Sequence, residues 1–209
     1  MQDSSSNDLP GLTLVLASQS PRRSELLRQI GVEFKCYPVD IDESPHPEES
    51  ASDLVLRLAV EKAQAAHQRY PRVPNHLFLG ADTIGLLDDK VLAKPRNFYD
   101  FASMLRKMSG RTHQVLSAVA LVGDGFQETI LDRSDVTFRT IRECEIEQYW
   151  HSGEPQDKAG GYGIQGLGAI FVEKIIGSYS GIVGLPLQST AELLRMAGIQ
   201  VWNRVEGKA

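Results

Sequence analysis

Leu12-Thr-Leu-Val-Leu-Ala17 running straight into Ser18-Gln-Ser-Pro-Arg-Arg-Ser24 is the stretch on which the fold reading turns. The apolar run reads as a strand. Ser20 suits a helix N-cap, Pro21 the first helical position, Leu26, Leu27 and Ile30 one apolar face, and Gly31 the stop. Arg22 and Arg23 therefore fall in a first helical turn, where the macrodipole is positive and N–H groups are unpaired. Each cation is disfavoured there by roughly 0.3–1 kcal/mol unless an anion arrives, and phosphate is the natural anion. The segment alone equally allows two solvated arginines with partners elsewhere.

Working outward, residues 1–8 are a polar, Ser-rich tail and residues 9–209 read as one domain. Hydrophobic residues at 42% and charged residues at 23% are ordinary for a globular protein, and no segment has the length of a membrane span. The tail carries Asp3 and Asp8 with no Lys or Arg, so the apolar run behind it lacks the basic flank of a signal peptide. Cys36 and Cys144 form no C-x-x-C pair and no disulfide scaffold, which fits a cytoplasmic protein. A net charge of −5 argues against a nucleic-acid partner and leaves room for a small anion. The histidines show no H-x-x-x-H spacing, so a zinc site is not expected.

Residues 33–41 read as a second strand and residues 52–67 as a helix whose stripe is Val55, Leu58, Ala59, Lys62 and Ala66. Lys62 on that apolar side is either a stem snorkelling to water or a cation held above a buried anion. After a proline-punctuated loop at 70–75 come a strand at 77–87, a turn at Asp88-Asp89, a return strand at 91–93 and a helix at 97–108. Residues 114–122, 129–132 and 135–139 form a hairpin-rich stretch, and Thr140-Ile-Arg-Glu143 reads as a capping box opening a helix to about residue 150. A polar, Gly-rich loop spans 154–168, residues 169–176 and 181–183 resemble a strand pair, and 186–197 is a last helix. Without strict βα alternation, the expected fold is a mixed sheet with flanking helices.

Gly80-Ala-Asp-Thr83 places a carboxylate inside an apolar strand, which requires a partner, a metal, a catalytic reason or a position in water at the strand edge. Lys94, returning along the next strand, is expected opposite Asp82, where a structural ion pair would have the same appearance. Gly161-Tyr-Gly-Ile-Gln-Gly166 matches G-x-G-x-x-G but lacks the preceding strand and following helix of a dinucleotide fingerprint. Its glycines instead suggest close backbone approach to a ligand, with the Gln165 amide at hand.

Ser-Pro-Arg-Arg, Gly-Ala-Asp-Thr, Lys-Pro, Ser-Gly-Arg-Thr-His113 and Glu154-Pro-x-Asp-Lys-Ala-Gly-x-Tyr-Gly-Ile-Gln-Gly166, in that order, resemble the Maf family of nucleoside triphosphate pyrophosphatases, in its dTTP/UTP branch. The resemblance implies an elongated mixed α/β fold of the Maf/ITPase type, with two lobes around a cleft. It implies cleavage of dTTP and UTP to the monophosphate and pyrophosphate with a divalent metal, Mg2+, Mn2+ or Co2+, and a homodimer. Asp82 is implied as the proton acceptor, although the residues alone also allow a metal ligand. Arg22, Thr83 and Gln165 are implied to govern base choice, Ser18, Arg23, Lys62 and Lys94 to bind phosphate, and Glu43 with Asp82 to contact the metal. The sister branch acting on 7-methyl-GTP typically carries Trp, Gln and Glu at the positions of Arg22, Thr83 and Gln165. A rival from another class is a nucleotide-binding division regulator without catalysis.

Overall fold

The structure, a computed structural model, describes residues 11–71 and 74–202. The tail expected at 1–8 and part of the loop expected at 70–75 lie outside these residues. In chain order the elements are β1 (Thr13–Leu16), α1 (Pro21–Gln29), β2 (Phe34–Cys36), α2 (Ala51–Arg69), β3 (His76–Leu87), β4 (Lys90–Leu92) and α3 (Phe98–Met108). Then follow β5 (Thr112–Gly123), β6 (Phe126–Phe138), α4 (Glu143–His151), β7 (Val172–Ile176), α5 (Tyr179–Val183) and α6 (Leu187–Met196). Single 3-10 turns at Glu154–Asp157, Ala159–Gly161 and Leu167–Phe171 build the segment between α4 and β7.

The strands form one mixed sheet in the order β2-β1-β3-β5-β6-β7, with β4 also on β3. β2, β1 and β3 are parallel and the other pairings antiparallel. Helix α2 covers one face, where Val55, Leu58, Ala59 and Ala63 pack with Ile84, Leu116 and Ala118. Across the sheet, Leu26 and Leu27 of α1 and Leu193 and Leu194 of α6 pack on Leu14, Leu79, Ala81 and Val119. A third cluster joins α3 and α4 to Val136, Phe138 and Phe171.

The feature that positions the site is a break in one edge of β3. β5 takes the other edge from Phe78 to Leu86. β1 pairs with β3 only as far as Leu16↔Leu79, extended by Ala17 N–H donating to Leu79 O at 2.8 Å. β4 begins only at Gly85↔Leu92. Residues 80–84 therefore lack a strand on that edge, and alternation of the ladder turns the main-chain groups of Ala81 and Thr83 toward the opening. The chain leaving β1 and the chain leaving β4 both enter it.

Four local expectations are corrected. β2 is three residues long, because its only partner among the described residues, β1, ends at Leu16↔Cys36. The helix starts two residues later than expected with half of a capping box: Glu145 accepts the Arg142 N–H at 2.9 Å, but the Arg142 side chain has no acceptor to return, while Glu143 is drawn to Arg106 at 2.7 Å. The pieces at 129–132 and 135–139 are one strand, β6. Residues 181–183 are helical rather than extended, since Ser178 Oγ accepts the Gly181 N–H at 2.9 Å as an N-cap, and residues 169–171 form a 3-10 turn. Short apolar runs do not separate strand from helix by periodicity.

Candidate active site

Arg22 and Arg23 do stand in the first turn of α1, which carries no acidic residue. Ser20 has the extended N-cap backbone, yet its side chain makes no capping bond, so the first-turn N–H groups stay available to the opening. Among the described residues Arg23 is held by neutral oxygens alone: Nε donates to Gly184 O at 3.0 Å, Nη1 to Ser18 Oγ at 3.3 Å and Nη2 to Thr83 Oγ1 at 3.4 Å. Burial lowers its pKa, opposed by the field of Asp82 and, more weakly, of Glu43. A desolvated cation without a carboxylate in contact is a strong anion seat. Thr83 is fixed in turn by Ser117 at 2.9 Å, whose hydroxyl donates to Gly181 O at 2.7 Å.

Side chains alternate along β3, so Asp82 points to the α2 face and Thr83 to the α1 face. Gly80 lets α2 close onto the strand: a Cβ there would lie 2.1 Å from Ala59 O. That contact brings Lys62 over Asp82. The Lys62 Nζ lies 2.7 Å from Asp82 Oδ1 and 2.6 Å from Glu43 Oε1. Lys62 and Asp82 are buried, whereas Glu43 is open to solvent. The cation-over-anion reading of Lys62 is the correct one. The expected pairing of Asp82 with Lys94 is not: β4 has stopped at Leu92, and Lys94, beyond it, is exposed with no ion pair among the described residues.

Arg22, Arg23, Thr83, Lys94 and Gln165 line one cleft of about 510 Å³, between the α1 side and the segment 154–166. Ser18 reaches it through Arg23, and the Asp82–Lys62–Glu43 group stands on the α2 face of β3, with Asp82 next in the chain to Thr83 and the charges of Asp82 and Glu43 acting on Arg23. Five of the nine expected site residues thus share the cleft, Ser18 touches Arg23, and Asp82, Lys62 and Glu43 form a separate group beginning one residue before Thr83. Among the described residues no three His, Cys, Asp or Glu side chains converge as a metal nest. Glu43 and Asp82 offer two hard carboxylates held by one ammonium. That donor set suits Mg2+ or Mn2+, which take one or two carboxylates and leave other positions to water and phosphate.

Several residues carry no sequence signal for what they do here. Arg57 of α2 grips the loop bearing Glu43, with Nε 2.7 Å from Glu49 Oε1 and Nη2 donating to Ser44 O at 3.0 Å. This pair holds the Glu49 carboxyl down at about 2. Glu154 and Tyr149 bind the Gly-rich loop internally. Gly163 and Gly166 line the cleft, and side chains at 166 and 168 would also collide with Glu154 and Tyr149.

His113, 2% exposed, lies with Nε2 2.8 Å from the Tyr162 hydroxyl and Nδ1 unpartnered. Burial pushes its imidazole down to about 4. The folded protein keeps His113 neutral while the unfolded chain takes up a proton below its ordinary value near 6.5. Stability is therefore full above pH 6.5 and falls as pH drops toward 4, by roughly 3 kcal/mol from this group. Urea unfolding at pH 4.5 and 7.5 should show a smaller pH difference in His113→Gln than in the wild type; an unchanged difference would remove His113 as its source.

The fold and cleft define an α/β protein with a cleft lined by Arg22, Arg23 and Lys94 where parallel strands end, the usual place for ligands in such sheets. The family model "Maf-like protein" matches residues 13–197, and the chain belongs to that family. A dTTP/UTP pyrophosphatase of Shigella dysenteriae serotype 1 is 54% identical over 183 residues, 87% of this chain and 91% of that one. Its counterpart in Vibrio parahaemolyticus is 50% identical over 88% of this chain and 96% of that one. That of Pasteurella multocida is 46% identical over 90% and 96%. No helix among the described residues is long and apolar enough to cross a membrane.

Proposed function

We propose that this protein hydrolyses dTTP and UTP to the nucleoside monophosphate and pyrophosphate. The observation that carries this reading is a cleft lined by Arg22, Arg23, Lys94 and Thr83, with Asp82, the residue before Thr83, paired to Lys62 and acting on Arg23 through its charge. The names of the relatives, at about half identity over most of both chains, support the same reaction.

A triphosphate brings about four negative charges, and preorganised cations stabilise the charge that builds on a pyrophosphate leaving group. Arg23 has spare donors aimed at the cleft, Lys94 approaches from β4, and Arg22 stands at the positive end of α1. Lys62 spends two of its three donors on Asp82 and Glu43, which leaves a third for phosphate. Asp82 accepts from Lys62 through Oδ1 and has no hydrogen bond to Oδ2 among the described residues. Oδ2 is the proton acceptor for the water that attacks phosphorus as the bond to pyrophosphate breaks. Glu43 and Asp82 are the residues that would hold a divalent ion, which would supply charge against the triphosphate and acidity to a water molecule.

For base choice, thymine and uracil present an N3–H donor beside carbonyl acceptors. An amide matches both, whereas a carboxylate only accepts. Gln165 on the cleft wall supplies that amide. A panel of dTTP, UTP, CTP and 7-methyl-GTP, run with Mg2+, Mn2+ and Co2+, tests the reading. dTTP and UTP should lead, and Gln165→Glu should lose one to two orders of magnitude on both. Preference for 7-methyl-GTP, or unchanged kinetics in Gln165→Glu, would remove Gln165 from the base site.

A further inference from the structure

We infer that Glu154 and Tyr149 are positioning residues for base selection, clamping the loop that presents Gln165. The inference deepens the proposed function and rests on its reading of Gln165.

Glu154 lines the cleft, where an unengaged carboxylate would repel a triphosphate. Both of its oxygens are turned to the protein instead. Oε1 accepts from the Tyr149 hydroxyl at 2.6 Å and from Gly168 N–H at 3.1 Å, and Oε2 accepts from Leu167 N–H at 2.8 Å. The Tyr149 oxygen also accepts from Gly163 N–H at 3.1 Å. One carboxylate–phenol pair therefore ties both ends of residues 163–168. Between the ends the chain closes on itself, Gly166 N–H donating to Gly163 O at 3.1 Å. Gln165 is the third residue of that turn and is exposed, and no hydrogen bond fixes its side chain among the described residues. Its place on the cleft wall is set by the turn beneath it.

The glycines report the same contact. A Cβ at 166 would lie 2.2 Å from Glu154 Oε2, and one at 168 would lie 2.6 Å from the Tyr149 hydroxyl. Neither glycine has a positive φ, so closeness to the clamp, not backbone conformation, excludes a side chain there. With three of its roughly four acceptor sites so used, Glu154 acts through the loop and not on the reacting atoms. Burial pushes the Tyr149 hydroxyl up, which keeps it a donor.

The test compares Gln165→Ala, Glu154→Ala, Tyr149→Phe and the double variant Glu154→Ala/Gln165→Ala, with kcat and KM measured for dTTP and for dCTP, whose base edge reverses donor and acceptor. Gln165→Ala should cut the preference for dTTP about tenfold. Glu154→Ala should reproduce that loss, with the greater part of the change in KM. Tyr149→Phe should lose about threefold, and the double variant should discriminate no worse than Gln165→Ala. If Gln165→Ala loses preference while Glu154→Ala and Tyr149→Phe keep it, the clamp is overturned and the proposed function stands. If Gln165→Ala keeps its preference, the base-site reading falls and takes the clamp with it. A fall of 100-fold or more in kcat at constant KM for Glu154→Ala would make Glu154 a catalytic residue and overturn positioning. Should Glu154→Ala fail to fold, Tyr149→Phe, which removes one hydroxyl, decides alone by the same criteria.

Discussion

Asp82→Asn should lower kcat for dTTP by about 10³-fold while the protein stays folded. Asparagine has the shape of aspartate, and its carbonyl oxygen still accepts from Lys62, now 2.7 Å from Asp82 Oδ1. What is lost is the charge and the ability to take up a proton, so the proposed base and half of the proposed metal site disappear together. Initial rates of pyrophosphate release, with circular dichroism to verify the fold, measure this. Turnover near that of the wild type would reject Asp82 in both roles.

The second large effect is on stability. Lys62→Met should destabilise the protein by about 3–5 kcal/mol at pH 7, because it keeps most of the apolar stem and strips a buried carboxylate of its cation. Asp82 is only 8% exposed, whereas Glu43, the other partner, has 60% of its side chain in solvent and can hydrate. The double variant Lys62→Met/Asp82→Asn should therefore recover much of the lost stability and no activity. Urea unfolding of the single and double variants measures this. A double variant as unstable as Lys62→Met would show that lost packing, not an unpaired charge, is responsible.

How far the sequence went depends on the range of the interaction. The stripe that includes Lys62 was legible because a 3.6-residue period is local, and Gly80-Ala-Asp-Thr83 was legible because a carboxylate in an apolar strand is costly. The partner of that carboxylate was not. Hairpin reasoning looked to Lys94, but β4 ends at Leu92, and the true partner comes from a helix twenty residues earlier, brought close by Gly80 against Ala59. Strand breaks behave likewise. Nothing in residues 33–41 announces that β2 stops at Cys36; the end of β1 decides it. The Gly-rich loop reads in sequence as one that a ligand can approach closely, but its contacts with Glu154 and Tyr149 leave no local signal. The His113–Tyr162 contact, 49 residues apart, has no local pattern either.

The most direct measurement is the product analysis of dTTP incubated with the wild-type protein and Mg2+ or Mn2+. The proposed reaction predicts dTMP and pyrophosphate in equal amounts and no orthophosphate. Tight dTTP binding without products, or release of dTDP with orthophosphate, would contradict it.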